Sequence, residues 1–203
     1  MAGRFISFEG IDGSGKSTQA RLLADALRAH GHAVTLTREP GGSPGAEEIR
    51  RLVLEGDPDR WSAETEILLF TAARRDHLEK TIRPALARGD VVITDRFADS
   101  TRMYQGRGGG LETVNCLHDL MIGVEPDLTF LIDLDPALGL ARAVGRKGAE
   151  LRFEAMGLAL QSQMRAGFLT LAAQSPRFRI IDGNRAPETI AAEVKALALT
   201  HLA

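Results

Sequence analysis

The 203-residue sequence predicts an α/β fold in one domain spanning residues 1–203, a three-layer sandwich with helices on both faces of a five-stranded parallel sheet. Short runs rich in β-branched and aromatic residues alternate with segments of helical periodicity along the chain. No run is joined to the next by a hairpin turn, so the strands need helical crossovers and should lie parallel. A glycine-rich loop also follows the first run and precedes a helix, as is typical of doubly wound α/β domains.

Composition narrows the possible function classes. The net charge of −2 and the pI of about 6.2 give no reason to expect nucleic-acid or membrane binding through overall charge. The single cysteine, Cys116, excludes an internal disulfide, and its place in the apolar run Leu111–Ile122 predicts a buried thiol. No apolar stretch approaches the ~18 residues of a membrane span, and the first strand begins shortly after Met1. We therefore expect a soluble, cytoplasmic protein.

The first predicted elements are a strand, a helix and a second strand. Residues Arg4–Glu9 (RFISFE) have the apolar, β-branched character of a buried strand. After the glycine-rich loop, apolar residues recur on one helical face, and Gly31 is expected to cap that helix in a left-handed conformation. A second strand follows at Ala33–Thr37 and runs into the loop REPGGSPG. Open α/β sheets bind ligands at this edge, so Arg38 and Glu39 should point toward the site.

The rest of the chain continues the alternation. A long helical segment covers Ser62–Arg88, and Pro84 should kink or end it because proline lacks an amide hydrogen. Asp135 and Pro136 are typical of a helix start, the former as the cap. The other predicted helices are Pro44–Leu54, Leu111–Ile122, Glu154–Ala173 and Pro187–Leu202, and the other predicted strands are Val91–Thr94, Leu128–Leu134 and Arg179–Asp182.

The glycine-rich loop carries the most specific motif of the chain. The spacing G-x-x-x-x-G-K-S/T occurs within FEGIDGSGKST, at Gly10, Gly15, Lys16 and Ser17. Glycines allow the backbone turns that aim successive N–H groups at a phosphate, and the helix that follows adds the positive end of its dipole. The lysine supplies an ammonium for the outer phosphates and the serine a hydroxyl for Mg²⁺. A nucleoside triphosphate is the expected ligand; the alternative is a glycine-rich turn that binds nothing.

Two carboxylates and an arginine extend this site. Asp95 follows an apolar strand, from where it can reach a hydrated Mg²⁺ beside the loop, and the adjacent Arg96 suits a second anion. The alternative for this pair is an ordinary surface salt bridge. Asp12 lies inside the loop, where a polyphosphate would repel it, so it needs another polar partner such as a sugar hydroxyl of a second substrate. Its alternative is a turn-favouring residue without a ligand.

Two further groups suit a second substrate and a lid. Phe70 and Arg74 lie four residues apart on the long helix and could grip a flat base, although a helical Phe is more often core. The charged string from Arg74 to His77 is by itself typical of a solvated face. Residues Arg142–Glu154 gather basic side chains around two glycines, the form of a lid that brings positive charge to a transferred phosphoryl group. The alternative is a solvated basic loop.

Together these stretches resemble bacterial thymidylate kinases, which pass the terminal phosphate of ATP to dTMP. The resemblance covers nearly the whole chain and rests on the motifs FEGIDGSGKSTQ (Phe8–Gln19), TREPGG (Thr37–Gly42), LLFTAAR (Leu68–Arg74), DRF (Asp95–Phe97) and YQG (Tyr104–Gly106). It implies a P-loop NTPase fold with strand order 2-3-1-4-5, ATP and Mg²⁺ as cofactors, dTMP as substrate and a homodimer. The alternatives are a kinase of another deoxynucleotide and a nucleotide-dependent switch; a GTPase is disfavoured because no N-K-x-D motif occurs.

The resemblance also implies roles for individual residues. Asp12 would accept a hydrogen bond from the deoxyribose 3′-hydroxyl, Phe70 would stack on thymine, and Arg74 would donate to the base. Tyr104 would crowd the 2′ position and disfavour ribose. The acceptor site comprises Asp12, Arg38, Glu39, Phe70, Arg74, Arg96, Thr101, Tyr104 and Gln105. The donor site comprises Gly10, Ile11, Asp12, Gly13, Ser14, Gly15, Lys16, Ser17, Thr18 and Arg142. The catalytic groups are Lys16, Asp95, Arg96, Arg146 and Arg152, and the metal ligands are Ser17 and Asp95.

The lid departs from the family pattern. One branch of the family has a basic residue in the phosphate loop where Gly13 stands, so the positive charge must come from the lid. The candidates are Arg142, Arg146, Lys147 and Arg152. Leu151 stands where an acidic residue usually precedes Arg-Phe-Glu, Leu160 replaces an aromatic residue and Gln163 an often basic one. These departures concern the contacts of the lid and leave the phosphate loop and acceptor site unchanged.

Overall fold

The computed structural model describes residues 3–57, 60–144 and 157–203. The strands are β1 (Arg4–Glu9), β2 (Val34–Arg38), β3 (Val91–Asp95), β4 (Leu128–Asp133) and β5 (Phe178–Asp182). The helices are α1 (Lys16–Ala29), α2 (Pro44–Leu54), α3 (Ala63–His77), α4 (Arg83–Ala87), α5 (Ala98–Tyr104), α6 (Leu111–Met121), α7 (Pro136–Val144), α8 (Gly157–Gln174) and α9 (Pro187–Leu202). A π-helical turn lies at Leu78–Ile82 and a 3₁₀ turn at Arg107–Gly109. None of the described helices has the length and apolar content that a membrane span requires.

The strands form one sheet in the order β2-β3-β1-β4-β5. Every neighbouring pair is parallel, so the carboxyl ends of all strands lie at one edge. In this register Asp95 of β3 is paired with Phe8 of β1 on one side and with Arg38 of β2 on the other. The predicted fold class and strand order are confirmed. The arrangement places the phosphate loop, which follows β1, beside the residues that follow β2 and β3.

Side chains alternate between the two faces of the sheet along each strand, so each face has its own apolar surface. Different helices cover these two surfaces. Ile6 and Phe8 pack with buried residues of α1 and α9 on one face. Phe5 belongs to a second cluster, formed with the π-helical turn, α4 and the start of α5. A third cluster, around Phe168 of α8, packs on β4 and β5. The sheet is therefore buried on both faces, which explains why its central strands are nearly continuous apolar runs.

Most predicted boundaries lie within one residue of those observed. The break predicted at Pro84 is present, because α3 ends at His77, a π-helical turn follows, and Pro84 lies in the first turn of α4. The sequence pattern does not predict α5, since most of its seven residues are buried and it therefore has no amphipathic pattern. The predicted start of α8 at Glu154 falls outside the described residues.

The expectation of a buried Cys116 is wrong. In α6 only Val114 and His118, four residues apart, are buried, so one narrow stripe of the helix faces the protein. Cys116 lies off this stripe and is exposed. The apolar run around it continues onto the surface, where Leu120 is 71% exposed.

Candidate active site

The phosphate loop joins the carboxyl end of β1 to the start of α1. Gly10, Gly13 and Gly15 have φ angles of 138°, 76° and 101°, a region that other residues rarely adopt. Space also excludes a side chain at Gly13, because a Cβ atom there would collide with the Gly139 carbonyl group of α7. Helix α1 begins at Lys16, so its unpaired N–H groups face the loop. The loop therefore has the backbone geometry of an anion site.

Lys16 occupies the interior of the loop. Its side chain is buried, and Nζ donates to the Ile11 carbonyl oxygen at 2.7 Å and lies 3.4 Å from Ser14 Oγ. Burial lowers the pKa of Lys16 to about 8, with Arg96 adding to the effect and nearby carboxylates opposing it. The ammonium is therefore charged at neutral pH, and it faces the space that phosphate oxygens would enter.

Ser17 and Asp95 offer oxygen ligands beside the loop. The Ser17 hydroxyl donates to Asp95 Oδ2. The other carboxylate oxygen, Oδ1, is buried and has no hydrogen-bond partner among the described residues. Such an atom is costly to bury unless a cation or water satisfies it. Because Mg²⁺ prefers oxygen ligands and keeps several waters, this pair fits a hydrated Mg²⁺ that also binds nucleotide phosphates.

Arg96 lies between the phosphate loop and α5. Its φ of 70° is the only positive value of a non-glycine residue in the described parts of the chain. Nη1 donates to Ser100 Oγ at 2.9 Å and to the Gly10 carbonyl oxygen at 3.2 Å, and Nη2 donates to Asp12. The guanidinium carbon is 5.4 Å from the centre of the Tyr104 ring. These contacts fix a cation next to the loop.

The Asp12 carboxylate is held by protein donors. Oδ1 accepts from Arg96, and Oδ2 accepts from the Tyr104 hydroxyl at 3.2 Å and from Gln161 Nε2 at 3.1 Å. Gln161 of α8 also accepts from the Asp12 backbone N–H at 3.2 Å. Burial alone would raise the pKa of Asp12, but the charges of Arg96 and Lys16 and these hydrogen bonds hold it below its usual value. The sequence predicts a polar partner for Asp12 other than phosphate. In the structure, side chains of the protein itself supply part of that role.

At the other end of the site, Arg74 is buried between α3 and α5. Its Nε donates to Glu39 Oε2 at 2.7 Å and its Nη2 donates to Thr101 Oγ1 at 3.0 Å. Phe70, one turn earlier on α3, borders the same space. Arg74 and His77 are both buried. The charged string from Arg74 to His77 is therefore not a solvated helix face.

Glu39 is engaged by two residues of α3. Besides Arg74 it contacts His77, whose Nδ1 lies 3.0 Å from Glu39 Oε1. His77 has no exposed surface, and its Nε2 lies 2.7 Å from Thr37 Oγ1. Both carboxylate oxygens of Glu39 thus contact α3, and the ion pair with Arg74 orients that guanidinium.

A cavity of about 540 Å³ joins the two ends of the site. Its loop end is lined by Asp12, Gly13, Gly15, Lys16, Ser17, Asp95 and Arg96, and its other end by Phe70, Arg74, Thr101, Tyr104 and Gln105. Arg38 and residues of α2 form a further wall, where Arg38 Nη2 donates to both carboxylate oxygens of Glu47 at 3.1 Å. A molecule that spans the cavity would meet cations at one end and an aromatic ring at the other.

The chain is similar in sequence and in structure to known proteins. The sequence model of the thymidylate kinase family matches residues 8–194. The chain belongs to the thymidylate kinase family. A thymidylate kinase of Ruegeria pomeroyi is 72% identical over 203 residues, covering 98% of this chain and 96% of that protein. One of Dinoroseobacter shibae is 66% identical over 197 residues, covering 96% and 95%. The crystal structure of thymidylate kinase from Ehrlichia chaffeensis gives a TM-score of 0.77 at 35% identity and covers 98% of this chain and 99% of that one.

Membership in the thymidylate kinase family confirms the resemblance seen in the motifs, and with it the enzyme class of a nucleotide-binding kinase. The structure gathers every predicted acceptor-site residue around one cavity, together with five of the predicted loop residues; Gly10, Ile11, Ser14 and Thr18 do not line it. Arg142 lies apart from that lining, at the end of α7, with Nη1 3.5 Å from the Gly183 carbonyl oxygen. The predicted lid residues Arg146, Lys147 and Arg152 fall outside the described residues. The roles of individual residues stay predictions.

Several buried polar residues of the site are not among those predicted from the sequence: Glu9, His77, Ser100 and Gln161. His77 and Gln161 meet their partners across 38 and 149 positions of the chain, so no local pattern could indicate them. For Glu9 a signal was available, because a carboxylate that ends a buried strand is rare unless it has partners.

The stability of this thymidylate kinase family member should depend on pH through Glu9. Burial and the neighbouring Asp99 raise the pKa of Glu9 from 4.5 to about 7. The unfolded chain ionises at the ordinary value, so between these two values the folded state binds more protons and stability falls as pH rises. Glu9→Gln does not titrate. Its free energy of unfolding, relative to the unsubstituted protein, should therefore rise by about 3 kcal/mol between about pH 4 and pH 8.

Urea unfolding of both proteins at the two pH values measures this change. Ser7→Ala serves as the control, because Ser7 is a buried residue of the same strand and carries no titrating group. Its difference from the unsubstituted protein should be the same at both pH values. A pH-independent difference for Glu9→Gln would contradict the assignment.

Proposed function

We propose that this chain transfers the terminal phosphate of ATP to dTMP with Mg²⁺, a cytoplasmic step of dTTP synthesis. One observation carries the proposal beyond family membership: a single continuous cavity has a phosphate loop at one end and the pair Phe70 and Arg74 at the other. Two nucleotides bound there would meet with their phosphates facing each other, near Lys16 and Arg96. Such end-to-end binding is what direct phosphoryl transfer requires.

The donor end would act through position and charge. Backbone N–H groups of the loop would hold the ATP phosphates, and the Lys16 ammonium would bind the outer ones. Bound Mg²⁺ supplies positive charge to the phosphate oxygens, and Ser17 and Asp95 are the residues that would hold it. Negative charge spreads over the transferred group in the transition state, so a fixed cation facing it lowers the barrier.

Arg96 would bind the monophosphate of the acceptor. Its guanidinium is already fixed beside the loop by Asp12, Ser100 and the Gly10 carbonyl group, so little side-chain freedom would be lost on binding. Arg38, on the facing wall, would add a second cation after releasing Glu47. These two arginines would hold the acceptor oxygen in line with the donor phosphate.

The base and sugar would be recognised at the far end of the cavity. Phe70 borders the cavity and would stack on thymine. Arg74, oriented by Glu39 and Thr101, would donate to the base, with Gln105 nearby. Asp12 would accept from the 3′-hydroxyl. Tyr104, which donates to Asp12, would narrow the space at the 2′ position and disfavour ribose.

The lid would complete the site with positive charge. The candidates are Arg142, Arg146, Lys147 and Arg152. They are supported by the basic composition of residues 142–154 and by the glycine at position 13, where one branch of the family has a basic residue. Closure would exclude water and bring a cation to the transferred phosphoryl group.

A panel of acceptors tests the proposed reaction. Phosphoryl transfer from ATP to dTMP, dUMP, dCMP, dGMP and dAMP is measured with a coupled assay for ADP. Transfer to dTMP far above the others is expected. Comparable transfer to another deoxynucleotide would indicate a kinase with a different substrate. A rate of ATP hydrolysis that is the same with and without every acceptor would indicate a nucleotide-dependent switch.

Phe70→Ala should chiefly raise the KM for dTMP, by about 10-fold or more, because the aromatic surface that stacks on the base is lost. The KM for ATP should change little, since the ring lies at the opposite end of the cavity from the loop. Steady-state kinetics with each substrate varied separately checks this, together with a thermal melt. A variant that unfolds, or one with an unchanged KM for dTMP, would show that the ring serves the core instead.

We also propose that the chain forms a homodimer through α3 and α6. These helices pack against each other, and they expose large apolar side chains: Leu68 is 57%, Leu111 44%, Leu120 71% and Met121 42% exposed. Exposed apolar side chains on two helices that pack together suit a second copy of the same surface.

Light scattering after size exclusion measures the assembly. The expected mass is twice 21.9 kDa, and Leu68→Asp with Leu120→Asp should reduce it to that of the monomer because each charge would be buried in the contact. Leu138→Asp is the matched control, since Leu138 is an exposed leucine on α7. A monomer without any substitution, or a double variant that stays dimeric, would refute this interface.

A further inference from the structure

Glu9 is a fully buried carboxylate that the proposed chemistry does not use. It ends β1 directly before the phosphate loop. One oxygen accepts from the Phe97 backbone N–H at 2.7 Å, and the other accepts from the Ser100 hydroxyl at 2.6 Å. Within the described parts of the chain, both of its hydrogen-bond donors are neutral groups. A buried carboxylate held only by neutral donors is costly, so a local requirement should explain its presence.

The two groups that donate to Glu9, the Phe97 N–H and the Ser100 hydroxyl, follow the strained residue Arg96 in the chain. Arg96 has a φ of 70°, which is unfavourable for a residue with a side chain. Its backbone is held on both sides: its N–H donates to the Phe8 carbonyl oxygen at 2.9 Å, and its carbonyl oxygen accepts from the Thr94 hydroxyl at 2.8 Å. The bond from the next N–H, that of Phe97, to Glu9 completes the set. The carboxylate is thus one of three contacts that keep the chain in this conformation.

Ser100 connects Glu9 to the guanidinium of Arg96. Its hydroxyl donates to Glu9 Oε2, so its lone pairs are available to other groups, and Oγ accepts from Arg96 Nη1 at 2.9 Å. An ionised carboxylate has no proton to donate, so in that form of Glu9 the Ser100 hydroxyl must be the donor and its direction is fixed. The same buried carboxylate therefore contributes to holding both the backbone and the side chain of Arg96.

We propose that Glu9 is a positioning residue for the acceptor phosphate: through Ser100 and the Phe97 N–H it fixes Arg96 in the strained conformation that aims its guanidinium into the cavity. This inference rests on the proposed function, in which Arg96 binds the monophosphate of dTMP. Without Glu9, the backbone at Arg96 loses one of its three contacts and the hydroxyl of Ser100 is no longer oriented, so the guanidinium is held less firmly by its remaining partners Asp12 and the Gly10 carbonyl group.

The expected effects follow the chain of contacts. Ser100→Ala removes the nearer of the two acceptors of Arg96 Nη1 and should lower kcat/KM for dTMP by about 10-fold, as expected for a displaced binding group. Glu9→Gln keeps the shape and an acceptor for Phe97 but can no longer accept at both oxygens, and should lower kcat/KM for dTMP by a similar factor of about 10. The double variant should be no worse than about the poorer single one, because both substitutions break the same chain of contacts. The KM for ATP should stay within about twofold, since Glu9 does not line the cavity and, within the described residues, neither side chain is hydrogen-bonded to Lys16, Ser17 or Asp95.

The experiment measures kcat and KM for each substrate in Glu9→Gln, Ser100→Ala, the double variant, Arg96→Ala and the control Ser7→Ala. Ser7 is a buried residue of β1 whose hydroxyl pairs with Thr129 at 2.8 Å, away from the site. A loss specific to dTMP in Glu9→Gln and Ser100→Ala, non-additive in the double variant and absent in Ser7→Ala, supports the positioning role.

Two other results would overturn it in distinguishable ways. If Arg96→Ala lowers kcat/KM for dTMP but Glu9→Gln and Ser100→Ala behave like Ser7→Ala, the positioning role fails and the proposed function stands. If Arg96→Ala leaves kcat/KM for dTMP unchanged, the acceptor phosphate is bound elsewhere, and the proposed role of Arg96 fails together with this inference.

Discussion

Lys16→Met is expected to lower kcat for dTMP phosphorylation by roughly 100-fold or more while the protein stays folded. Methionine fills the space of the lysine stem but carries no charge. The transferred phosphoryl group would then lose a cation whose attraction grows as negative charge develops in the transition state. Burial already lowers the pKa of Lys16 to about 8, so the ammonium is held at some cost and its removal should not lower thermal stability. Kinetics at saturating ATP and dTMP, with a thermal melt, measures both effects.

Lys80→Met is the matched control for this experiment. Lys80 lies on the π-helical turn, is largely exposed and pairs with Asp76 at 2.5 Å, outside the cavity. Its loss should leave kcat within about twofold, because exposed ion pairs contribute little. Equal kcat values for the two variants would remove Lys16 from the mechanism.

Asp95→Asn should lower kcat/KM for ATP by roughly 100-fold at limiting Mg²⁺ and raise the Mg²⁺ concentration that gives half-maximal activity. The amide has the size of the carboxylate but no charge to attract a cation. Asp95 is the natural place for the metal, because its buried Oδ1 has no hydrogen-bond partner in the described part of the chain and its Oδ2 accepts from the Ser17 hydroxyl. Titration of activity with Mg²⁺ at several fixed ATP concentrations separates the loss of metal binding from a loss of nucleotide binding.

The same substitution at the other end of strand β3 provides the control. Asp90 immediately precedes β3, accepts from Thr35 Oγ1 at 2.8 Å and lies at the opposite edge of the sheet from the cavity. Asp90→Asn should leave the Mg²⁺ dependence unchanged. If Asp95→Asn also leaves it unchanged, the carboxylate does not hold the metal, and Asp95 acts only through its bond to Ser17.

Sequence patterns predict most of the fold because each element has a local signal. The buried strands are apolar runs, Pro44 and Pro187 lie in the first turns of their helices, and Gly31 has the expected positive φ. Helix α5 lacks such a signal, since its side chains are buried on several sides. The exposure of Cys116 was not predictable either, because an apolar helix face looks the same in sequence whether it meets the core or the surface.

The residues of the candidate site likewise include some with a local sequence signal and others without one. Its phosphate loop is a contiguous motif, and the motifs after β2 and β3 meet it because parallel strands end at one edge. The contacts that orient the site are not contiguous. Glu39 is held by His77 and Arg74 from another helix, and Asp12 is held by Gln161 from α8. Sequence indicates which residues bear the chemistry, whereas their supporting partners depend on the tertiary structure.

The central claim is that ATP and dTMP bind end to end in one cavity. A crystal structure of the protein with dTMP, Mg²⁺ and a non-hydrolysable ATP analogue tests it most directly. We predict the triphosphate on the loop at Lys16, the acceptor phosphate on Arg96, and thymine between Phe70 and Arg74. Thymidylate bound away from these three residues, with the ATP analogue still on the loop, would contradict the account and leave only a nucleotide-binding site.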